Sequence, residues 1–166
     1  MKIIRGSKEY AEKAIAYLKQ IGDETDNLTF NSKIFKMTVE QEKEYLESIK
    51  ESNDDGCFIA LQDDKIVSIG CFSRFKKERF KHRGEIGISV LKDYWGKHIG
   101  TKMMEVLMDF ARNVSNVKIV SLEVRNDNVR AINLYKKFGF NKIGTFKGYM
   151  QINGELIDCD IMELIF

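Results

Sequence analysis

A chain of 166 residues with 43% apolar and 31% charged residues is long enough to bury one core and has the composition of an ordinary globular domain. Its formal net charge of +2 gives no general drive toward nucleic acid, and no stretch approaches the roughly 20 apolar residues of a membrane span. The opening MKIIRGSKEY has no apolar signal core, so no membrane partner is expected and the cytoplasm is the expected compartment.

In chain order, Lys2 to Arg5 reads as a first strand. Ser7 offers an N-cap for a helix to about Gln20, with Ala11, Ala14, Ile15 and Leu18 on its apolar face. Thr38 ahead of Glu40, Gln41 and Glu42 opens a second helix to about Ser52, with acids in the first turn where the helix dipole favours them. The period then changes to two. Cys57 to Leu61 and Ile66 to Phe72 are strands joined at Asp63 and Asp64, and Gly84 to Val90 is another. Between the last two lies RFKKERFKHR (Arg74 to Arg83), with six Lys or Arg and two Phe. Such a run suits RNA or a phosphate-bearing ligand, and alternation in a solvated hairpin accounts for the same pattern. A helix follows from Ile99 to about Asn113, a strand from Val117 to Arg125 and a helix from Asp127 to Phe138. Strands from Phe140 to Met150 and Leu156 to Phe166 close the chain around the hairpin signal Asn153-Gly154. Helices, an antiparallel meander and one strand-helix-strand crossover predict an α/β domain with a mixed sheet, spanning 1–166.

Cys57, Cys71 and Cys159 are odd in number, far apart and without metal-ligand spacing, so they read as small buried side chains. With two histidines, His82 and His98, neither a metal site nor a Ser-His triad is expected.

Two segments carry chemistry. From Val90 to Met104, VLKDYWGKHIGTKMM runs from a strand through a loop with two glycines into an amphipathic helix. The first N–H groups of such a helix lack internal partners and point outward at the positive end of its dipole, so the loop can hold a pyrophosphate, with Lys97 and Lys102 adding charge. Neither GxGxxG nor GxxxxGK[ST] is present. The second segment is SLEVRNDNVRAINLYKKFGF (Ser121 to Phe140). Asn126, Asp127 and Asn128 supply a turn and an N-cap. Ala131, Leu134, Tyr135 and Phe138 share a helical face, and Gly139 is placed to end the helix. On its strand Glu123 alternates with Ser121 and Arg125. Glu85 likewise alternates with Gly87 and Ser89, opposite Ile86, Ile88 and Val90. Polar faces on two such strands indicate a wetted groove, with Glu123 the first candidate for a general base and Glu85 the second.

Together these segments resemble the GNAT superfamily of acetyl-CoA-dependent N-acetyltransferases. Its loop pattern (Q/R)xxGx(G/A) falls on Trp95-Gly96-Lys97-His98-Ile99-Gly100, and its NxxAxxLYxxxGF element on Asn128, Ala131, Leu134, Tyr135, Gly139 and Phe140. The resemblance covers 57–166 well and the first two helices by order of elements. It implies a GNAT-like fold, a mixed, mostly antiparallel sheet with a splayed central parallel strand pair flanked by helices, and transfer of an acetyl group from acetyl-CoA, without a metal, to a primary amine of a small molecule or a protein N-terminus. The strand-helix segment most resembles the ribosomal-protein N-terminal alanine acetyltransferases, which implies Glu123 as base and Tyr135 as acid. The resemblance also implies that the backbone of Ile88, Ser89 and Val90 pairs with the pantetheine arm, and that Lys97 and the amides of His98, Ile99, Gly100 and Thr101 hold the pyrophosphate. Asn128 either bonds the cofactor or caps its helix. A homodimer is compatible with this reading. Two residues depart from the loop pattern: Trp95 stands for Gln or Arg, and His98 for the first glycine. A negative φ at His98, with the imidazole facing solvent, is the expectation, since Gly96 and Gly100 relieve crowding.

The acceptor is expected between the first two helices and the closing hairpin, where Asp23, Glu24 and Asp26, or Glu155 and Asp158, could attract a cationic amine. Two competing readings are a protein that binds acetyl-CoA without turnover and an RNA-associated module built on 74–83.

Overall fold

A computed structural model describes residues 1–166. Seven strands form, β1 (Lys2–Arg5), β2 (Asp55–Gln62), β3 (Lys65–Arg74), β4 (Arg83–Val90), β5 (Ile119–Arg125), β6 (Asn141–Ile152) and β7 (Glu155–Ile165). Four helices accompany them, α1 (Ala11–Glu24), α2 (Val39–Ile49), α3 (Ile99–Asp109) and α4 (Val129–Lys137). One sheet holds every strand in the order β1-β2-β3-β4-β5-β7-β6. Its neighbours run antiparallel except β4 and β5, which are parallel, so the sheet is mixed and mostly antiparallel, as expected. The parallel pairing is short. It runs from Arg83 opposite Ile119 to Glu85 opposite Ser121, after which the strands part and the rest of β4 has no β5 partner.

Local signals explain most element ends. Gln41 N donates to Thr38 Oγ1 at 3.2 Å and Thr38 N to Gln41 Oε1 at 2.9 Å, a reciprocal cap that starts α2. Asn153 and Gly154 both take positive φ, 51° and 87°, the turn that matches strand twist between β6 and β7. After α4, Phe140 N donates to Tyr135 O at 3.1 Å and Gly139 N to Lys136 O at 3.0 Å, with Gly139 at φ 89°. That pair of bonds is the Schellman motif, and the Tyr135 and Phe140 rings, 6.0 Å apart, supply its apolar contact.

Two helices differ from expectation. Ser7 makes no side-chain cap bond, so residues Lys8–Tyr10 form a tight 3₁₀ turn and α1 begins at Ala11. It then runs on to Glu24, because Ile21 continues the buried stripe and Gln20 Nε2 donates to Glu24 Oε1 at 2.7 Å. α3 stops at Asp109, and Phe110–Val114 open into a wider turn that seats the Phe110 ring edge-on against Phe58 and Phe72.

α3 and α4 cover one face of the sheet through a core that includes Val67, Phe72, Met103, Leu107 and Leu122. On the other face α1 and α2 pack Ala14, Tyr17, Ile21 and Leu46 against Ile59 and Ile69. Cys57 and Cys71 lie opposite each other across β2 and β3 as free thiols, a proximity that their spacing in the sequence conceals. The basic run 74–83 connects β3 to β4, and ion pairs with Asp54, Asp55 and Glu78 engage its Arg74, Lys76 and Lys81.

Candidate active site

Where β4 leaves β5, a cleft of about 920 Å³ opens. Ile88–Val90 form its floor, the start of α3 and the exposed side of α4 its walls, and the Thr25–Leu28 loop its roof. The floor is built from unpaired strand edge. Leu91 N donates to Val67 O at 3.0 Å, so by antiparallel alternation Ser89 and Gly87 turn their backbone groups toward β3, while Ile88 and Val90 turn theirs toward the gap. The Val90 carbonyl is taken by Trp95 Nε1 at 2.8 Å, which leaves both Ile88 groups and the Val90 N–H open. Ser89 thus differs from its neighbours. Its backbone belongs to β3, and its hydroxyl, on the α1 face, meets Tyr17 Oη at 2.9 Å.

The loop before α3 corrects the expectation for His98. Its φ is +59°, left-handed, not negative, and Gly96 is left-handed as well at +75°. The chain leaves a 3₁₀ turn at Lys92–Tyr94 and must reverse to enter α3, and it makes that reversal at residues 96 and 98. Gly100 cannot relieve the turn because it already lies in the first helical turn, where a Cβ would come within 3.2 Å of Leu134. The imidazole is exposed, as expected. The first backbone bond into the helix is Lys102 N to His98 O at 3.1 Å. The amides of Ile99, Gly100 and Thr101 are therefore orphan donors at the cleft wall. Lys97 stands over the Tyr94 ring at 4.8 Å and Arg130 of α4 over Trp95 at 3.9 Å, and neither cation has a carboxylate partner. Arg130 lines the cleft, whereas Lys97 does not, although its neighbours Gly96 and His98 do. The substitution of Trp at 95 thereby acquires a role: it fastens the loop to β4 and supports Arg130.

Tyr135 is buried on α4 and lines the cleft, and its hydroxyl makes no hydrogen bond within the chain. Burial pushes the phenol up to about 12, so it stays protonated and able to donate. Asn128 Oδ1 accepts from Ala131 N at 3.3 Å, which makes it the helix cap, while its amide NH₂ stays free beside the cleft. Glu85 and Glu123 do not line this cleft. They share the opposite, α1-side face of the splayed strands, exposed and close enough that the Glu85 charge acts on Glu123. Partial desolvation first, and the Glu85 carboxylate second, hold Glu123 above the ordinary carboxylate range. The gap between β4 and β5 is therefore the passage between Tyr135 on one side and the two carboxylates on the other.

A second cavity, about 520 Å³, lies between the α1–α2 connection and the β6–β7 turn and shares Thr25, Asp26 and Leu28 with the first. The loop acids expected to attract a cation are mostly committed elsewhere. Asp23 accepts from Ser32 N at 3.0 Å, Glu24 from Lys92 N at 2.9 Å, and Asp158 from Gly148 N at 2.9 Å and Lys147 Nζ at 2.7 Å. Asp26, at the junction of the two cavities, and Glu155, exposed at the start of β7, remain. Arg125, unassigned from the sequence, fixes that junction: its guanidinium donates to both Asp127 carboxylate oxygens and, at 3.2 Å, to Asp26 O.

The open strand edge, the orphan amides of α3 and the free phenol fit an acyl-thioester carrier with a diphosphate. The model of the acetyltransferase (GNAT) family matches residues 11–140. The chain belongs to the GNAT acetyltransferase family. Among curated relatives it is 31% identical over 127 residues to an N-alpha-acetyltransferase of Saccharolobus solfataricus, covering 70% of this chain and 76% of that one. It is 32% identical over 107 residues to the L-amino acid N-acetyltransferase AaaT of Escherichia coli, covering 64% of this chain and 66% of that protein. Among solved structures, a GNAT-family acetyltransferase from Streptococcus pneumoniae superposes with a TM-score of 0.95 at 24% identity, over 99% of each chain, and shares the fold. As a GNAT enzyme the chain transfers an acetyl group from acetyl-CoA to an amine.

Proposed function

We propose that residues 1–166 act as one N-acetyltransferase domain in which Glu123 is the general base and Tyr135 the general acid, and that the acceptor is a primary amine entering from the 520 Å³ cavity. The observation that carries this reading is the parting of β4 from β5, which leaves the amides of Ile88 and Val90 unpaired between a protonated phenol and a pair of carboxylates. When bound there, acetyl-CoA supplies an activated acyl group on a sulfur leaving group. The amides of Ile88 and Val90 would align the pantetheine arm, and those of Ile99, Gly100 and Thr101, with Lys97, would hold the pyrophosphate; His98 sets the left-handed turn that aims them.

An amine attacks only when neutral. Deprotonating an alkylammonium of pKa near 10.4 at pH 7 costs about 4.6 kcal/mol, against about 1 to 1.5 kcal/mol for an α-amino group. Glu123, directly or through a water, takes that proton, and its raised pKa brings it closer to the amine's and makes it a better acceptor. Tyr135 donates to the departing sulfur. A thiolate of pKa near 8.5 leaves readily, so the gain from Tyr135 is modest, about 10- to 100-fold. The finer likeness to ribosomal-protein alanine acetyltransferases rests on the 121–140 segment and favours a peptide N-terminus. The acidic face at Glu85 and Glu123 favours a small cationic amine instead.

The test is release of free CoA thiol across a panel of amines and peptide N-termini. Acceptor-dependent release that falls at least 100-fold in Glu123→Gln, with acetyl-CoA affinity retained, supports the assignment. Binding of acetyl-CoA with no release for any acceptor makes the chain a binding protein and ends the catalytic reading.

A further inference from the structure

The sheet face that carries Glu123 is only half covered by helices. α1 and α2 reach as far as the contact of Tyr17 with Ser89, and beyond it the α1–α2 connection takes over, touching Arg125 through Asp26 O and facing Tyr149 across the second cavity. Pairing registers define what lies there. Glu85 sits between Ser73 and Ser121. Glu123 is opposite Ile161, which faces Gly144, and Arg125 is opposite Cys159, which faces Phe146. Directly opposed residues share a face, so Glu85, Glu123 and Phe146 all point to the same side.

A bulge completes the far wall. Between Phe146 and Met150 the β6 register slips, Gly148 takes φ +61°, and Asp158 Oδ1 accepts the Gly148 N–H at 2.9 Å. The slip turns Tyr149 onto the side already held by Phe146, and the two rings stack with centroids 5.3 Å apart and planes 24° apart. Both rings are about half exposed, at 44% and 45%. The Tyr149 phenol is raised by partial burial and then by Glu123, with smaller contributions from Cys159 and Glu85, which puts the ring beside the two carboxylates. Two residues along β4 from Glu85, on the same face, Gly87 is exposed with open space above it.

The trough has aromatic walls and no cation to spare. Arg83 pairs with Glu163, Arg125 with Asp127 and Lys147 with Asp158, whereas neither Glu85 nor Glu123 has an ion-pair partner. A third carboxyl stands at the near end of the same face. Glu42 of α2 is 4% exposed, its carboxyl forms no hydrogen bond or ion pair, and it lies close enough for its charge to act on Tyr45 and on Cys57, the cross-strand partner of Cys71.

Resting on the reading that Glu123 takes the acceptor's proton, we propose that Glu85 and the Phe146–Tyr149 stack determine acceptor specificity, selecting a primary alkylamine that carries a second cationic centre. Once Glu123 has accepted its proton it is neutral, and Glu85 remains the charge that a second ammonium or guanidinium answers. The methylene stem lies along the aromatic rings, which bind a cationic alkyl chain through both apolar contact and their negative faces. An acceptor bearing its own carboxylate, such as a free amino acid, meets two like charges. A carboxylate and a cation about 6 Å apart in a half-wet site, with an effective dielectric constant of about 40, gain about tenfold in binding.

The experiment measures kcat/KM for CoA release with a linear monoamine, the diamine of the same length and an amino acid carrying the same side-chain amine. The expected order puts the diamine about tenfold above the monoamine and the amino acid lowest. Glu85→Gln brings the diamine-to-monoamine ratio to about one, Glu85→Asp restores most of it, and Tyr149→Ala raises KM for both amines more than it lowers kcat. Retained acetyl-CoA affinity shows that each variant is folded. Equal use of monoamine and diamine by the unaltered enzyme, or a ratio that Glu85→Gln leaves unmoved, overturns this inference and leaves Glu123 as base. Absence of turnover with every amine removes the Glu123 reading and the inference with it.

Discussion

Replacing His98 in two directions tests whether its left-handed backbone is a built-in cost of the phosphate loop. A non-glycine residue at φ +59° gives up about 1 to 2 kcal/mol relative to its preferred regions, with histidine toward the low end. Glycine removes that cost but adds about 0.5 to 1 kcal/mol of chain entropy in the unfolded state. His98→Gly should therefore be neutral or stabilising by up to about 1 kcal/mol, a rise in Tm of about 0 to 4 °C for a domain of this length. His98→Val places a β-branched residue where it is a severe outlier and should cost about 1 to 3 kcal/mol, a fall of about 2 to 12 °C. If the loop escapes that strain by turning right-handed, the orphan amides of Ile99, Gly100 and Thr101 lose their aim, and acetyl-CoA affinity falls by about 5- to 100-fold while glycine leaves it within about threefold. Thermal melting with and without acetyl-CoA, alongside calorimetric titration, reads both quantities. A glycine variant that melts well below the unaltered protein, or a valine variant that binds acetyl-CoA normally, would refute the argument.

Other consequences are open to measurement. Tyr135→Phe should lower kcat about 10- to 100-fold with little change in acetyl-CoA affinity, and equal loss of both would show that the ring only packs. In Glu85→Gln the acid limb of the kcat/KM profile should move to lower pH, because the repulsion that helps hold Glu123 protonated is gone; an unmoved limb would show that Glu123 is not the titrating base. Arg125→Lys loses the two-pronged contact to Asp127 and the bond to Asp26 O, so KM for the amine should rise about 5- to 30-fold with kcat nearly kept. Burial alone raises Glu42, so the folded state pays for its ionisation, and the loss sets in as pH climbs through the unfolded carboxylate range toward the folded pKa. Glu42→Gln should therefore raise Tm at pH 7 by a few degrees and lose that advantage below about pH 4.

The sequence made legible those features whose cause is local. Thr38 with Gln41, Asn153-Gly154 and Gly139 each declare an element end through their own side-chain or backbone chemistry, and each forms as read. The two chemical segments were legible because strand, turn and helix follow one another within about twenty residues. What stayed hidden depends on distant partners. Histidine prefers negative φ, and only the reversal between Tyr94 and Ile99 forces the opposite at His98. Nothing in the alternation of β6 announces that a slip at Gly148 will turn Tyr149 toward Phe146, since the slip is pinned by Asp158 on another strand. The placement of β7 between β5 and β6 likewise comes from pairing, not order, and it is what brings the aromatic stack within reach of Glu123. Asp23, Glu24 and Asp158 read equally well as substrate acids or loop fasteners until their partners, Ser32, Lys92, Gly148 and Lys147, are seen.

Amide resonances followed during titration with acetyl-CoA address the cleft directly. Large shifts and exchange protection are expected at the N–H groups of Ile88, Val90, Ile99, Gly100 and Thr101, with the Ser89 N–H, already bonded to β3, changing little. Saturating binding that perturbs the far strands β1 and β2 while leaving the Ile88 and Val90 amides untouched would contradict the site described here.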